Sequence, residues 1–327
     1  MSAMLEISDL YVRFRRPEGI IHAVNGVSFE VKEGEWLGLL GESGSGKSVS
    51  LLSLLKLVGD NATIPRGTAL FNGQDLLQMK ERQLRTVRGR DVGVVFQNMS
   101  AGLDPYMRVG RQIMEPMLEH GICGKTEAQR RATELLEEMG LPDPKKQFNS
   151  YPFELSGGMR QRVMLAVAMA CNPKLLIADE PTTALDATVQ TQVLSVLREA
   201  CERRKMTTVM ITHDLGVATN VCDRIVVMYG GRVMEVADVD EFIAKTAHPY
   251  TLGLKSSLLT KRHRGQPLRP IPGNAITLWQ SPKGCPFANR CPLAVDRCVH
   301  ELPELRPLSA THEVACHRAE EVSASVG

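Results

Sequence analysis

Charge imbalance is the first thing this chain lacks. Its 327 residues carry 39 basic against 37 acidic side chains. So balanced a composition gives no electrostatic case for a nucleic-acid partner. Long apolar runs are missing too: none approaches the ~18 residues that cross a bilayer. The start, Met1-Ser2-Ala3-Met4-Leu5-Glu6, has no basic segment followed by a long apolar stretch. No signal peptide is expected, and the chain reads as cytosolic. If it works at a membrane, other chains hold it there. The length suggests about two domains and allows a large core.

What is present centres on Gly41-Glu42-Ser43-Gly44-Ser45-Gly46-Lys47-Ser48. It follows the apolar run Trp36-Leu37-Gly38-Leu39-Leu40 and precedes Val49-Ser50-Leu51-Leu52-Ser53-Leu54-Leu55. G-x-x-x-x-G-K-S between a strand and a helix is the P-loop that binds a nucleoside triphosphate. Consecutive N–H groups of such a loop face inward as an anion nest, and the next helix adds its positive end. Lys47 is suited to the β- and γ-phosphates, and Ser48 to Mg²⁺. The bland alternative is a chance glycine-rich turn; the flanking strand and helix patterns argue against it.

Residues 4–32 read as short strands around the turn Arg16-Pro17-Glu18-Gly19. Tyr11 and Phe14 are rings that could stack on a base or simply fill a core. Asn72-Gly73 between short apolar runs signals a hairpin. Val92-Gly93-Val94-Val95-Phe96 reads as a buried strand ending at Gln97. Beyond it the chain changes character. Pro105, Pro116, Pro142, Pro144 and Pro152 punctuate helical periods, as in a small helical subdomain inserted into an α/β core. Thr126-Glu127-Ala128-Gln129 has the form of a capping box. Ala128, Ala132, Leu135, Leu136 and Met139 follow at helical spacing, and Gly140 with Pro142 ends that helix.

Leu155-Ser156-Gly157-Gly158 opens another helix, with Ser156 as N-cap. Its two glycines cost helix stability, ~1 kcal/mol each against alanine, so a close backbone approach is expected there. Leu175-Leu176-Ile177-Ala178 is a buried strand running into Asp179-Glu180. Ligands of open α/β sheets bind at such carboxyl ends. Asp179 is suited to Mg²⁺, and Glu180 to taking a proton from water attacking the γ-phosphate. Ala187 to Arg204 reads as an amphipathic helix. Thr207 to Thr212 is a strand with His213 at its end, and a helix near Val239–Lys245 closes the main domain. Past about residue 255 periodicity fades, and Lys261-Arg262-His263-Arg264 reads as a solvated linker.

Four of the eight cysteines, Cys285, Cys291, Cys298 and Cys316, crowd the C-terminal end. In a cytosolic chain this favours metal over disulfides. Four thiolates suit zinc or a [4Fe–4S] cluster; the absence of a tight C-x₂₋₄-C pair suits the cluster better. Free thiols remain the third option. His300, His312 and His317 lie nearby and read as bystanders. The cluster's expected role is to pin a tail with little apolar core of its own.

Together these pieces resemble the ATP-binding subunits of ABC transporters, over about residues 4–255. The resemblance makes Gly41–Ser48 the Walker A loop and Gln97 the Q-loop residue. It makes Leu155, Ser156, Gly157 and Gly158 the signature that meets ATP held by a partner subunit. Asp179 ends the Walker B strand, Glu180 is the catalytic carboxylate, Ala184-Leu185-Asp186 the D-loop and His213 the switch histidine. Phe14 becomes the base-stacking residue, and Ser48, Gln97 and Asp179 attend Mg²⁺. A narrower resemblance, to oligopeptide/dipeptide permease ATPases and their nickel-uptake relatives, rests on four features. They are Val95-Phe96-Gln97 with Leu103-Asp104-Pro105, the Met159-Arg160-Gln161-Arg162 ending, His248-Pro249-Tyr250-Thr251, and the cysteine tail.

The resemblance implies an α/β P-loop NTPase fold of the ABC type: a RecA-like core, an antiparallel β part and an inserted helical subdomain at about 98–160. Residues 1–255 form the ATP-binding domain and 256–327 a cysteine-rich extension holding a [4Fe–4S] cluster. The implied activity is ATP hydrolysis powering uptake of di- or oligopeptides, with nickel or another small solute as the alternative cargo. Implied partners are a second homologous ATPase subunit, two transmembrane permease subunits and an extracytoplasmic solute-binding protein, at the cytoplasmic face of the cell membrane. A soluble ABC ATPase of DNA repair or translation is the competing class. The long coiled coils of the one and the paired cassettes of the other are missing here.

Overall fold

The computed structural model describes residues 3–97, 102–183, 185–256, 271–276 and 278–324. The expected linker Lys261-Arg262-His263-Arg264 and Ala184 of the D-loop lie outside these residues. The chain divides into two compact units. One is mainly Gln78–Ile211, with Lys32–Glu35; the other holds Leu5–Val31, Trp36–Leu77 and the described residues from Thr212 onward.

The first unit contains three parallel strands, β6 (Val92–Val95), β7 (Leu175–Asp179) and β8 (Thr207–Thr212), with β7 in the middle. Every residue of β7 and β8 is buried. Such near-continuous apolar runs are what a sheet covered on both faces requires. Gly93 in β6 lies so close to the helix Gly157–Met169 that an added Cβ would stand 2.4 Å from the Ala168 carbonyl oxygen. The helices Val109–Glu119, Lys125–Glu138 and Pro144–Asn149 pack on one another, and the first two also on Gly157–Met169.

The apolar stripe expected on the second of these helices is buried: Ala128, Ala132, Leu135, Leu136 and Met139 are all within the core. Gly140, at φ 67°, terminates it, with amides 140 and 141 returning to the carbonyls of Glu137 and Leu136. The capping box does not form. The helix begins at Lys125 with Gly124 as N-cap and no side-chain cap. Glu127 is turned instead to Arg130 and Arg131, whose hydrogen bonds hold its carboxyl down at about 2.

In the second unit, β1 (Ala3–Arg16) and β2 (Gly19–Lys32) are long strands, where short ones were expected. The alternation is broken because β1 shifts register between Ser8 and Arg13, beside Asp9 at φ 51°. The sheet runs β2-β1-β4-β5, with β4 at Ala62–Phe71 and β5 at Gln74–Asp75. Asn72 and Gly73 make the β4–β5 turn at φ 48° and 76°, both left-handed, as a two-residue hairpin of this kind demands.

A further set of strands surrounds β3 (Trp36–Leu40), the buried strand that leads into the glycine loop. It pairs in parallel with β9 (Arg224–Tyr229), which pairs antiparallel with β10 (Arg232–Asp238). The cysteine tail adds β11 (Arg306–Pro307) and β12 (His312–Val314), β12 lying antiparallel to β10. The tail is therefore not short of packing. Its Phe287 is buried against Tyr229 and Tyr250, and its Val314 and Ala319 pack with Ala247. These apolar residues are scattered in sequence, which hid them from any periodic pattern.

Candidate functional site

Gly41–Ser48 runs from the end of β3 into the helix Lys47–Leu52. Two of its glycines are irreplaceable on geometry. Gly41 has φ 148°, and an added Cβ would lie 2.2 Å from the Met228 carbonyl oxygen. Gly46 has φ 98°, and its Cβ would lie 2.6 Å from the Ala23 carbonyl oxygen. Lys47 is buried; its Nζ donates to the carbonyls of Gly41 and Glu42 at 2.7 and 2.9 Å. The side chain thus folds back over the loop and places a cation at its centre. Glu42 faces elsewhere: its N–H donates to the Tyr250 hydroxyl at 2.8 Å, and its carboxylate receives Arg290.

In the other unit, β7 ends on Asp179, a carboxylate only 4% exposed. Glu180 follows at φ 47°, with its N–H donating to the Ile211 carbonyl at 2.9 Å. A left-handed glutamate costs ~1–2 kcal/mol, so the surrounding structure has to impose it. Glu180 Oε2 accepts from Gln97 Nε2 at 2.8 Å and from Thr183 Oγ1 at 2.9 Å. Two side chains thereby fix a carboxylate at the carboxyl end of the central strand, and the Ile211 carbonyl fixes its backbone. Ser156 caps Gly157–Met169, its Oγ accepting from the Met159 N–H. Asp186 caps Ala187–Arg204 through the amides of Thr188 and Val189. A Cβ on Gly158 would come 2.7 Å from Val189 Cγ1. The close approach expected at that glycine is therefore one helix start against another.

A family model described as ABC transporter matches residues 24–183. One described as oligopeptide/dipeptide transporter, C-terminal region, matches residues 234–298. A probable peptide ABC transporter ATP-binding protein of Sinorhizobium fredii is 44% identical, over 98% of this chain and 96% of its own length. An oligopeptide transport ATP-binding protein of Salmonella typhimurium is 43% identical over 97% of this chain and 94% of its own. The chain belongs to the oligopeptide/dipeptide ABC transporter ATP-binding family. A solved ATP-binding cassette, a dimer in a post-hydrolysis state with ADP and Pi, is similar in fold. It has a TM-score of 0.65 and 29% identity, over 72% of this chain and 99% of that one. The expected fold of an ABC nucleotide-binding domain, built on mixed α/β sheets, is the one observed.

Within this ABC chain, the structure brings Gln97 and Glu180 into contact, Glu180 directly following Asp179 at the end of β7. Leu155 through Gly158 lie at the start of their helix in the same unit. The glycine loop, Phe14 and His213 lie in the other unit. Phe14 is half-buried on β1 opposite Ala62. His213 is exposed, just before the helix Leu215–Val221 that Asp214 caps.

Cys285, Cys291, Cys298 and Cys316 line one small cavity, about 340 Å³ including its open mouth. Burial pushes the Cys285 thiol up to about 12 and Cys316 to about 11. The structure corrects the metal expectation in one respect. Among the described residues, no group of three or more His, Cys, Asp or Glu is arranged to hold a metal ion. At Cys285, Cys291 and Cys316 a low-dielectric setting favours the neutral thiol. The histidines are engaged elsewhere. His312 Nε2 meets the Glu235 carboxyl at 2.8 Å, and His317 Nε2 meets the Glu301 carbonyl at 3.1 Å.

Three groups escaped the sequence reading: Thr183 on Glu180, and Tyr250 and Arg290 on Glu42. Tyr250 sits in the quoted His248-Pro249-Tyr250-Thr251 run, but nothing in that run points to residue 42, 208 positions away.

Proposed function

We propose that this chain hydrolyses ATP to drive uptake of di- or oligopeptides, as the ATPase subunit of an ABC importer. The observation that carries the reading is the glycine loop with Lys47 at its centre, in a chain whose relatives are oligopeptide and peptide transport ATP-binding proteins. In this reading residues 1–255 are the ATP-binding domain, with a helical subdomain at about 98–160, and 256–327 the extension. Gly41 to Ser48 bind the phosphates, Lys47 offsetting the β/γ charge, and Phe14 stacks on the base. Ser48, Gln97 and Asp179 attend Mg²⁺, which supplies charge neutralisation to the leaving phosphates. Glu180, held by Gln97 and Thr183, takes the proton of the attacking water, and His213 steadies the γ-phosphate.

Leu155, Ser156, Gly157 and Gly158 serve a second ATPase subunit's nucleotide, and Asp186 borders that contact. Closure of the pair on ATP and its reopening after hydrolysis move two membrane permease subunits, to which a solute-binding protein delivers peptide. No helix among the described residues is long and apolar enough to cross a membrane, in keeping with a peripheral place on the cytoplasmic face.

The same reading gives the tail a [4Fe–4S] cluster on Cys285, Cys291, Cys298 and Cys316. In support, all four thiols face one cavity. Cluster thiolates bind separate irons and need not converge as zinc ligands must. When bound, the cluster supplies a cross-link among distant parts of the tail.

Uptake of a labelled dipeptide and of nickel, in cells whose only copy carries Glu180→Gln, tests the cargo. Loss of peptide uptake with nickel uptake intact is expected; the reverse overturns the peptide reading.

A further inference from the structure

Between Cys285 and Cys291 stands an arginine that no P-loop motif includes. Arg290 Nη1 and Nη2 donate to the two carboxylate oxygens of Glu42, at 2.7 and 3.1 Å. The fork is itself fixed. Nη1 also donates to the Tyr229 hydroxyl at 3.1 Å, and Nε to the Pro272 carbonyl at 2.8 Å. The guanidinium lies over the rings of Tyr229 and Phe287, 5.6 and 5.9 Å from their centroids. The Arg290 side chain is only 9% exposed and that of Glu42 27%. A guanidinium held from so many sides is a template, and the carboxylate is what it positions.

Glu42 directly follows Gly41, inside the loop that is to receive a polyphosphate. A bare carboxylate there opposes every phosphate that enters. Its N–H is already given to Tyr250, so neither its charge nor its donor serves the anion nest. We propose that Arg290 is a positioning residue of the nucleotide site: it neutralises Glu42 and anchors it to the C-terminal tail, so that the tail sets ATP affinity. The proposal rests on the reading of Gly41–Ser48 as the ATP loop. It explains how a loop built for anions tolerates an acidic side chain. It also makes the segment between two cysteines part of the nucleotide site.

The test is titration of a fluorescent ATP analogue with Mg²⁺ into the full-length chain. Arg290→Gln is expected to raise Kd on the order of tenfold, the scale of one unit charge roughly 12 Å away at an effective dielectric near 20. The penalty shrinks as salt is raised. Adding Glu42→Gln to Arg290→Gln removes the offending charge and is expected to recover most of the lost affinity. A merely structural latch predicts no such recovery. An unchanged Kd in Arg290→Gln, or a double variant as weak as the single one, overturns the proposal. If Arg290→Gln does not fold, Glu42→Gln alone decides: tighter binding supports the charge argument and weaker binding refutes it. Lys47→Ala separates the two levels. If the wild type binds and Lys47→Ala does not, the loop assignment stands whatever Arg290 does.

Discussion

A methyl group added at Gly46 should cost far more than the same group two residues earlier, at Gly44. Both glycines have left-handed φ, 98° and 80°. Either alanine therefore bears ~1–2 kcal/mol of backbone strain. Both also gain ~0.4–1 kcal/mol from a less flexible unfolded chain. These contributions cancel in the comparison, and space decides the rest. Around Gly44 nothing lies within 4 Å of an added Cβ. At Gly46 that atom would stand 2.6 Å from the Ala23 carbonyl oxygen and 3.4 Å from Gly231 Cα. Both are backbone, one of them in β2, so no side-chain rotation relieves the clash. Overpacking of this kind costs ~1–3 kcal/mol. Gly44→Ala should therefore destabilise by ~1 kcal/mol and Gly46→Ala by ~3 kcal/mol. Urea unfolding followed by Trp fluorescence reads the difference, because buried Trp36 opens the strand that feeds the loop. Midpoints should move without a change in slope. Two variants that agree to within ~0.5 kcal/mol, the margin at which independent sites add, would refute the geometric reasoning.

Glu180→Gln should slow ATP hydrolysis ~10²–10⁴-fold while leaving a nucleotide-trapped pair; ordinary turnover in that variant removes Glu180 as the base. Buried Cys201 has its thiol pushed up to about 11 by desolvation, so the fold disfavours its thiolate. That stability is fully present below pH ~9 and is lost as pH rises toward 11, ~1.4 kcal/mol by pH 10. Denaturation midpoints of Cys201→Ala across that range should fall less steeply than those of the wild type, and parallel curves count against the cause. Protein purified without oxygen should be brown and contain iron and sulfide; a colourless preparation holding one zinc rules out the cluster.

Much of the fold was legible because its signals are local. The strands at Trp36, Leu175 and Thr207 are apolar runs with turn residues at their ends, and the helix Ala187–Arg204 announces itself by its period. The N-cap at Ser156 was readable for the same reason. The capping box at Thr126 failed because the helix starts two residues earlier, with Gly124 as N-cap, which puts Thr126 inside the first turn. The length of β1 was hidden by its register shift, which interrupts alternation without ending the strand. Site residues were legible where a motif names them, as with Lys47, Gln97 and Glu180. Arg290 and Tyr250 were not, because their partner lies over two hundred positions away and an arginine in a loop has no distinguishing neighbourhood.

The pairing of Glu235 with His312 sets an order on how this protein can be made. Glu235 has no exposed surface in the finished fold, and its carboxyl is met by His312 and by the amides of Ala247 and His248. During synthesis the two amides leave the ribosome soon after Glu235, whereas His312 follows 77 residues later. Until then β10 has a half-satisfied acid at its edge and no β12 to cover it. The last strand of this unit thus closes only when nearly the whole chain has been translated. A product truncated before His312 carries that exposed edge as a mark of incompleteness, open to proteases and to pairing with other chains.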